Sequence, residues 1–69
     1  MNPIALTVNG EPRELAESVT LAEVVGTLSS APTGVAAALN ETVVPRGAWE
    51  RTVLSTGDRV EILTAVQGG

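Results

Sequence analysis

The sequence predicts an α+β fold in which one helix packs across a mixed sheet of four or five strands. Near the amino end, apolar and weakly polar residues alternate as in a half-buried strand, with Ile4, Leu6 and Val8 on one side. A capped segment over residues 20–28 then has the period of an amphipathic helix. Because a helix and one face of a sheet each need an apolar partner, the two are expected to bury each other.

The first strand is followed by Asn9-Gly10, a dipeptide that favours a tight hairpin because both residues tolerate positive φ. A return strand is expected at about residues 13–16. Pro12 stands near its start, where a missing N–H group does least harm. The first two strands are therefore predicted to be antiparallel neighbours.

The helix has a recognisable start and one apolar stripe. Thr20 and Glu23 form a capping box, in which each side chain satisfies a free backbone donor. Gly26 weakens the helix interior by about 0.5–1 kcal/mol relative to alanine. Residues 29–32, which include two serines and a proline, are expected to end the helix. The stripe predicted to face the core consists of Leu21, Val24, Val25 and Leu28.

The second half of the chain is predicted to complete the sheet. Residues 46–50 are expected to form one helical turn that places Trp49 over an end of the core, and residues 56–58 to form a turn. The remaining strands are predicted at Val35–Leu39, Thr42–Val44 and Arg59–Thr64. This order of elements is the β-grasp outline over residues 1–64, followed by a flexible tail, residues 65–69.

The composition excludes several functions. The chain contains no cysteine and no histidine, which removes most nucleophile–base pairs and nearly all transition-metal sites. We therefore expect no catalytic residue, no bound metal and no enzyme activity of its own. A net charge of −4 disfavours nucleic acid and favours a basic surface on a protein partner. Without a signal peptide or an apolar run of about 20 residues, the protein is expected to be cytoplasmic, not bound to a membrane, and monomeric when free.

The chemistry-bearing feature is the end of the chain, Gly68-Gly69. Two glycines thread a narrow channel easily because neither has a Cβ atom. A frayed end is the alternative interpretation of the same pair. A carboxylate must first be activated, for instance as an acyl-adenylate formed from ATP. A sulfur nucleophile then yields a thiocarboxylate, or an amine yields an amide.

Several segments spread over the whole chain match one family. The more specific of them are Asn40 with Val43-Val44-Pro45-Arg46, and Trp49. The others are Val8-Asn9-Gly10, Thr20-Leu21, the strand that precedes Asn40, Gly57-Asp58-Arg59-Val60-Glu61-Ile62, and Gly68-Gly69. On these segments the chain resembles ThiS, the ubiquitin-like sulfur carrier family of thiamine (thiazole) biosynthesis.

The resemblance implies a sequence of partners for the carboxylate of Gly69. A ThiF-type, E1-like adenylyltransferase would adenylylate it with ATP and magnesium, which are used by that enzyme and not bound by this chain. A persulfide sulfur donor would supply sulfur for the thiocarboxylate. The thiazole synthase ThiG would accept it. Gly69 would carry the sulfur, and Gly68 would give access.

Contacts with partners are expected on the open face of the sheet and along the tail. Leu63 falls on the strand phase opposite Val60 and Ile62, so it is predicted to point outward. Ala5, Thr7, Ala36 and Ala38 are expected to extend that patch. Val66 and Gln67 are expected to join Leu63 in partner binding. Trp49 is interpreted as a lid on the core, and Arg46 is expected to pair with Glu50 at the surface.

Three other functions remain open at this point. A related β-grasp carrier would serve molybdopterin or another sulfur-containing metabolite. A protein modifier would be attached through Gly69 to lysine side chains. A non-carrier interaction domain would use the fold alone, and it is disfavoured because the sequence stops at the glycine pair.

Overall fold

The computed structural model describes residues 2–28 and 34–64. Along the chain the elements are β1 (Ile4–Val8), β2 (Glu11–Leu15), α1 (Leu21–Leu28), β3 (Val35–Leu39), β4 (Thr42–Val44), a 3₁₀ helix (Arg46–Arg51) and β5 (Arg59–Thr64). The predicted tail and helix terminator, residues 65–69 and 29–32, lie outside the described residues.

The five strands form one mixed sheet in the order β2-β1-β5-β3-β4. β1 runs parallel to β5, whereas the pairs β1–β2, β3–β4 and β3–β5 are antiparallel. The last strand therefore lies at the centre of the sheet. The predicted fold class, a mixed sheet with one helix across it, is confirmed.

The first hairpin has a tight two-residue turn. Asn9 and Gly10 have φ values of 52° and 83°, the left-handed conformation that the dipeptide predicted. Because the turn is this short, β2 begins at once, at Glu11, and ends at Leu15. The predicted start at residue 13 was thus two residues late. Pro12 lies opposite Thr7 on an edge strand, the position where a sheet tolerates proline.

The helix begins as its capping box predicted. The Thr20 amide donates to Glu23 Oε2 at 2.9 Å, and the Glu23 amide donates to Thr20 Oγ1 at 3.3 Å. The first helical amide, that of Leu21, donates to the carbonyl of Thr52 at 2.9 Å. Several donors that a helix start leaves free are therefore satisfied by named partners.

The core lies between α1 and one face of the sheet. Its buried members are Ile4, Leu6, Val8, Leu21, Val24, Val25, Ala37, Trp49, Leu54, Val60 and Ile62. Leu28 was predicted to belong to this set and is instead 40% exposed. It is the last residue of a helix of about two turns. It lies at the rim of a groove beside Arg13 and Leu15 of β2.

One end of the core is closed by the segment that follows β4. Trp49 is buried as predicted, and its Nε1 donates to the Val44 carbonyl at 2.8 Å. Leu54 is 2% exposed, and no sequence period had indicated that it is buried. Its amide donates to the Val19 carbonyl at 3.0 Å, which holds the segment against the residues that precede α1.

Candidate functional site

The predicted reactive end of the chain continues from β5. Gly68 and Gly69, with Val66 and Gln67, lie outside the described residues, so their roles remain predictions. The strand that leads to them is well placed, because β5 is paired on both sides by β1 and β3. Its last residue, Thr64, lies opposite Val35 of β3. Residue 65 therefore follows the end of the central strand of the sheet.

Asn9 attaches β5 to the end of β1. Its amide donates to the Val60 carbonyl at 2.8 Å, as in a regular parallel ladder. The next bond of such a ladder would join the Ile62 amide to the carbonyl of Asn9. Since the chain turns at Asn9, the side chain takes the place of that carbonyl, and the Ile62 amide donates to Asn9 Oδ1 at 2.8 Å.

Asn40 makes the equivalent attachment on the other side of β5. It begins the turn between β3 and β4, where Asn40 and Glu41 have φ values of 50° and 72°. Its amide donates to the Arg59 carbonyl at 2.8 Å, and the Arg59 amide donates to Asn40 Oδ1 at 2.9 Å. Its Nδ2 also donates to Asp58 Oδ1 at 3.1 Å. Each neighbouring hairpin thus contributes one asparagine that holds β5.

The open face of the sheet carries an exposed apolar patch. Leu63 is 71% exposed, as the strand phase predicted, and Val43 of β4 is 72% exposed. Between them lies a shallow groove lined by Ala36 and Ala38 and bordered by Glu61. Ala5 is exposed and Thr7 is half-buried, so the predicted outward patch is present. Its contact with a partner remains a prediction.

Charged residues near these elements make few close pairs. Arg46 Cζ lies 5.7 Å from the centroid of the Trp49 ring, a cation–π arrangement. Among the described residues the ion pairs are Arg59–Glu41 at 3.2 Å and Arg13–Glu11 at 3.5 Å. The predicted pairing of Arg46 with Glu50 was therefore wrong, because the guanidinium lies over the indole instead.

The described residues offer surfaces for contact more than a pocket for chemistry. In residues 2–28 and 34–64 no polar or charged side chain is buried. No three acidic side chains in these ranges are grouped so as to hold a metal ion. No helix in the same part of the chain is long and apolar enough to cross a membrane.

A central last strand, a helix on one face and an exposed small-residue patch on the other define a ubiquitin-like β-grasp domain. Comparison with known families refines this class. The ThiS family model matches residues 6–69, which is nearly the whole chain. The chain belongs to the ThiS family, as the resemblance predicted.

Individual relatives agree with this membership. A crystal structure of a thiamine biosynthesis protein (ThiS) from Geobacter metallireducens is 38% identical with a TM-score of 0.77, covering 96% of this chain and 100% of that one. The sulfur carrier protein ThiS of Escherichia coli is 28% identical over 61 residues, which is 88% of this chain and 92% of that protein. The predicted function, a sulfur carrier of thiamine biosynthesis, agrees with these names.

A longer relative contains a segment similar to this chain. A thiazole synthase from Paramagnetospirillum magneticum is 31% identical over 64 residues. The match covers 93% of this chain and only 20% of that protein, so the chain spans about a fifth of its length.

Proposed function

We propose that this chain is a sulfur carrier protein of thiamine biosynthesis that carries sulfur as a thiocarboxylate on Gly69. The observation that carries the proposal is the family match, which extends to the final glycine. The central position of β5 supports it, because a tail that leaves a central strand starts from a firmly held point. The domain itself then acts as a substrate of its partner enzymes.

Loading begins with activation of the carboxylate. A ThiF-type, E1-like adenylyltransferase joins the Gly69 carboxylate to the AMP part of ATP, with magnesium bound by that enzyme, and pyrophosphate leaves. The terminal sulfur of a cysteine persulfide then attacks the acyl-adenylate carbonyl and displaces AMP. A second thiol cleaves the resulting S–S bond and leaves the thiocarboxylate on Gly69. The missing side chains of Gly68 and Gly69 keep that carbonyl accessible.

The acceptor of the sulfur is a thiazole synthase of the ThiG type. The segment of the Paramagnetospirillum magneticum thiazole synthase that is similar to this chain supports the pairing. In that protein a carrier-like sequence and a sequence named for the synthase share one polypeptide.

Recognition by these partners uses the open face of the sheet and the tail. Leu63, at 71% exposure, is the apolar contact nearest to the tail, and Val66 and Gln67 continue the contact along it. Seven glutamates and one aspartate against four arginines favour a basic surface on the partner.

Mass spectrometry of the intact protein tests the proposal. After incubation with a ThiF-type enzyme, ATP, magnesium and a cysteine persulfide donor, the chain should gain the mass of one sulfur minus one oxygen. A variant lacking Gly69 should gain nothing while its circular dichroism stays unchanged, because residue 69 lies beyond the sheet. Sulfur gained by that variant, or no gain by the intact chain, would overturn the proposal. Loading without later transfer to a thiazole synthase would assign the carrier to another sulfur pathway.

A further inference from the structure

The ladder between β1 and β5 is short where it matters for the tail. The two strands are in register only at Thr7–Arg59 and Val8–Val60. On this side, the Ile62 amide is held by the side chain of Asn9, at 2.8 Å. Ile62 stands two residues before Thr64, the last residue of β5. Asn9 therefore supplies the attachment to the β1 side nearest to the tail among the described residues.

We propose that Asn9 is a positioning residue for the Gly69 carboxylate. This inference rests on the proposed function. By holding the Ile62 amide, Asn9 sets the direction in which the chain leaves the sheet. The antiparallel pairing with β3 holds the other side of the strand up to Thr64. Together the two attachments keep the end of β5 from swinging within the plane of the sheet.

A loosened strand end has a large effect at the carboxylate. The five residues after Thr64 span about 16–18 Å when extended, so a small rotation of the strand end becomes a displacement of several Å at Gly69. Displacements of about 1 Å can lower a rate by about 10²-fold when reacting groups must be aligned. The docking surface around Leu63 lies on β5 and β3 and is unaffected by such a rotation in its composition. Asn9 is therefore expected to influence turnover more than binding.

The carrier is a substrate, which makes a structural effect easy to separate from a positioning effect. Partial unfolding lowers the concentration of competent carrier, so it raises the apparent KM for the carrier and leaves kcat unchanged. Misdirection of the tail in a docked, folded carrier lowers kcat and leaves KM unchanged. Steady-state adenylylation by the ThiF-type enzyme, followed by pyrophosphate release at varied carrier concentration, measures both constants.

The test compares two replacements of Asn9. Asn9→Gly keeps the positive φ of the turn and removes the acceptor for the Ile62 amide. Asn9→Asp keeps an acceptor oxygen and tolerates the same φ. We expect kcat to fall about three- to tenfold in Asn9→Gly, the fold-change that corresponds to one lost hydrogen bond, and to recover in Asn9→Asp. Amide hydrogen exchange at Ile62 should accelerate in Asn9→Gly and return in Asn9→Asp.

Asn40→Gly is the matched control. It removes the same kind of acceptor from the other end of β5, together with the bond to Asp58 Oδ1, so it is the harsher structural change. Its kcat should remain that of the wild type. Asn9→Ser, whose side chain is too short to reach the Ile62 amide, should repeat the effect of Asn9→Gly and provides a second folded variant.

The possible outcomes distinguish this inference from the proposed function. An unchanged kcat in Asn9→Gly and Asn9→Ser, a rise in KM alone, or an equal fall of kcat in Asn40→Gly would overturn the role of Asn9. In each of these cases normal loading of the wild type leaves the carrier function standing. Failure of the wild-type chain to be adenylylated would instead overturn the proposed function.

Discussion

The two faces of the sheet are built from the same strands and differ in what they carry. On β5, Val60 and Ile62 face α1 and are nearly inaccessible, while Leu63 on the opposite face is 71% exposed. On β3 the buried Ala37 alternates with the outward Ala36 and Ala38 in the same way. The covered face buries large aliphatic side chains, whereas the open face presents mostly small ones with single exposed apolar residues.

This difference separates stability from recognition. Burial of apolar area stabilises the fold by about 25 cal/mol per Å², so most of the stabilisation comes from the covered face. Residues on the open face are free to serve a partner at little cost to folding. The comparison therefore predicts that substitutions on one face change the free energy of unfolding and those on the other change affinity.

The largest expected difference is between two neighbours on β5. Ile62→Ala should lower the free energy of unfolding by about 2–5 kcal/mol, through lost burial and a cavity. Leu63→Ala should change it by about 0.5 kcal/mol or less, because the side chain is already in water. Urea denaturation followed by circular dichroism measures both. Equal losses would break the distinction between the faces.

The helix gives a second, smaller contrast. Val24→Ala should cost about 1.5–3 kcal/mol, since Val24 is 4% exposed in the core. Leu28→Ala removes a larger side chain and should still cost about 1 kcal/mol or less, because Leu28 is 40% exposed at the groove rim. Thermal melts of the two variants rank them. A larger loss for Leu28→Ala would place the end of α1 against the core after all.

The open face is tested by adding a charge. Leu63→Glu should weaken binding to the ThiF-type enzyme about tenfold or more, as loss of an apolar anchor does at interfaces, with the unfolding curve unchanged. Val53→Glu is the matched control, because Val53 is also exposed, at 57%, and belongs to none of the five strands. Isothermal titration calorimetry compares the variants. Equal weakening by both would mean that added negative charge, and not the open face, is responsible.

The smallest expected effect lies on the solvent side of the helix that covers the sheet. Gly26→Ala should raise the free energy of unfolding by about 0.5–1 kcal/mol, because nothing lies within 4 Å of an added Cβ atom. Gly10→Ala has equal room and should destabilise the protein, because Gly10 has a φ of +83°. Denaturant midpoints resolve the two. Destabilisation by Gly26→Ala would show that the glycine serves a purpose other than tolerance.

The sequence was most informative where a local rule determines the structure. The alternation of β1, the Asn9-Gly10 turn and the Thr20–Glu23 capping box each depend on residues a few positions apart, and the structure contains all three. The second turn was missed, because Asn40-Glu41 lacks the glycine that marks a hairpin, although both residues adopt positive φ.

What could not be predicted depends on distant contacts. Burial of Leu54 follows from its pairing with Val19 across the molecule, and exposure of Leu28 follows from the length of α1 relative to the core. The placement of Arg46 over Trp49 won over the expected pairing with Glu50, since nearness in a helical turn permits both. For the candidate site, the glycine pair and the outward phase of Leu63 were readable from sequence. The hydrogen bond from Ile62 to Asn9, which spans 53 positions, was not.

The central position of β5 also has a consequence for the birth of the protein. Both hairpins leave the ribosome before β5, and neither can pair with the other, since the strand that belongs between β1 and β3 is synthesised last. Such long-range pairing makes folding wait for the end of synthesis. An enzyme that recognises the assembled sheet therefore meets only chains translated at least through Thr64, so a ribosome-stalled fragment is never mistaken for a carrier.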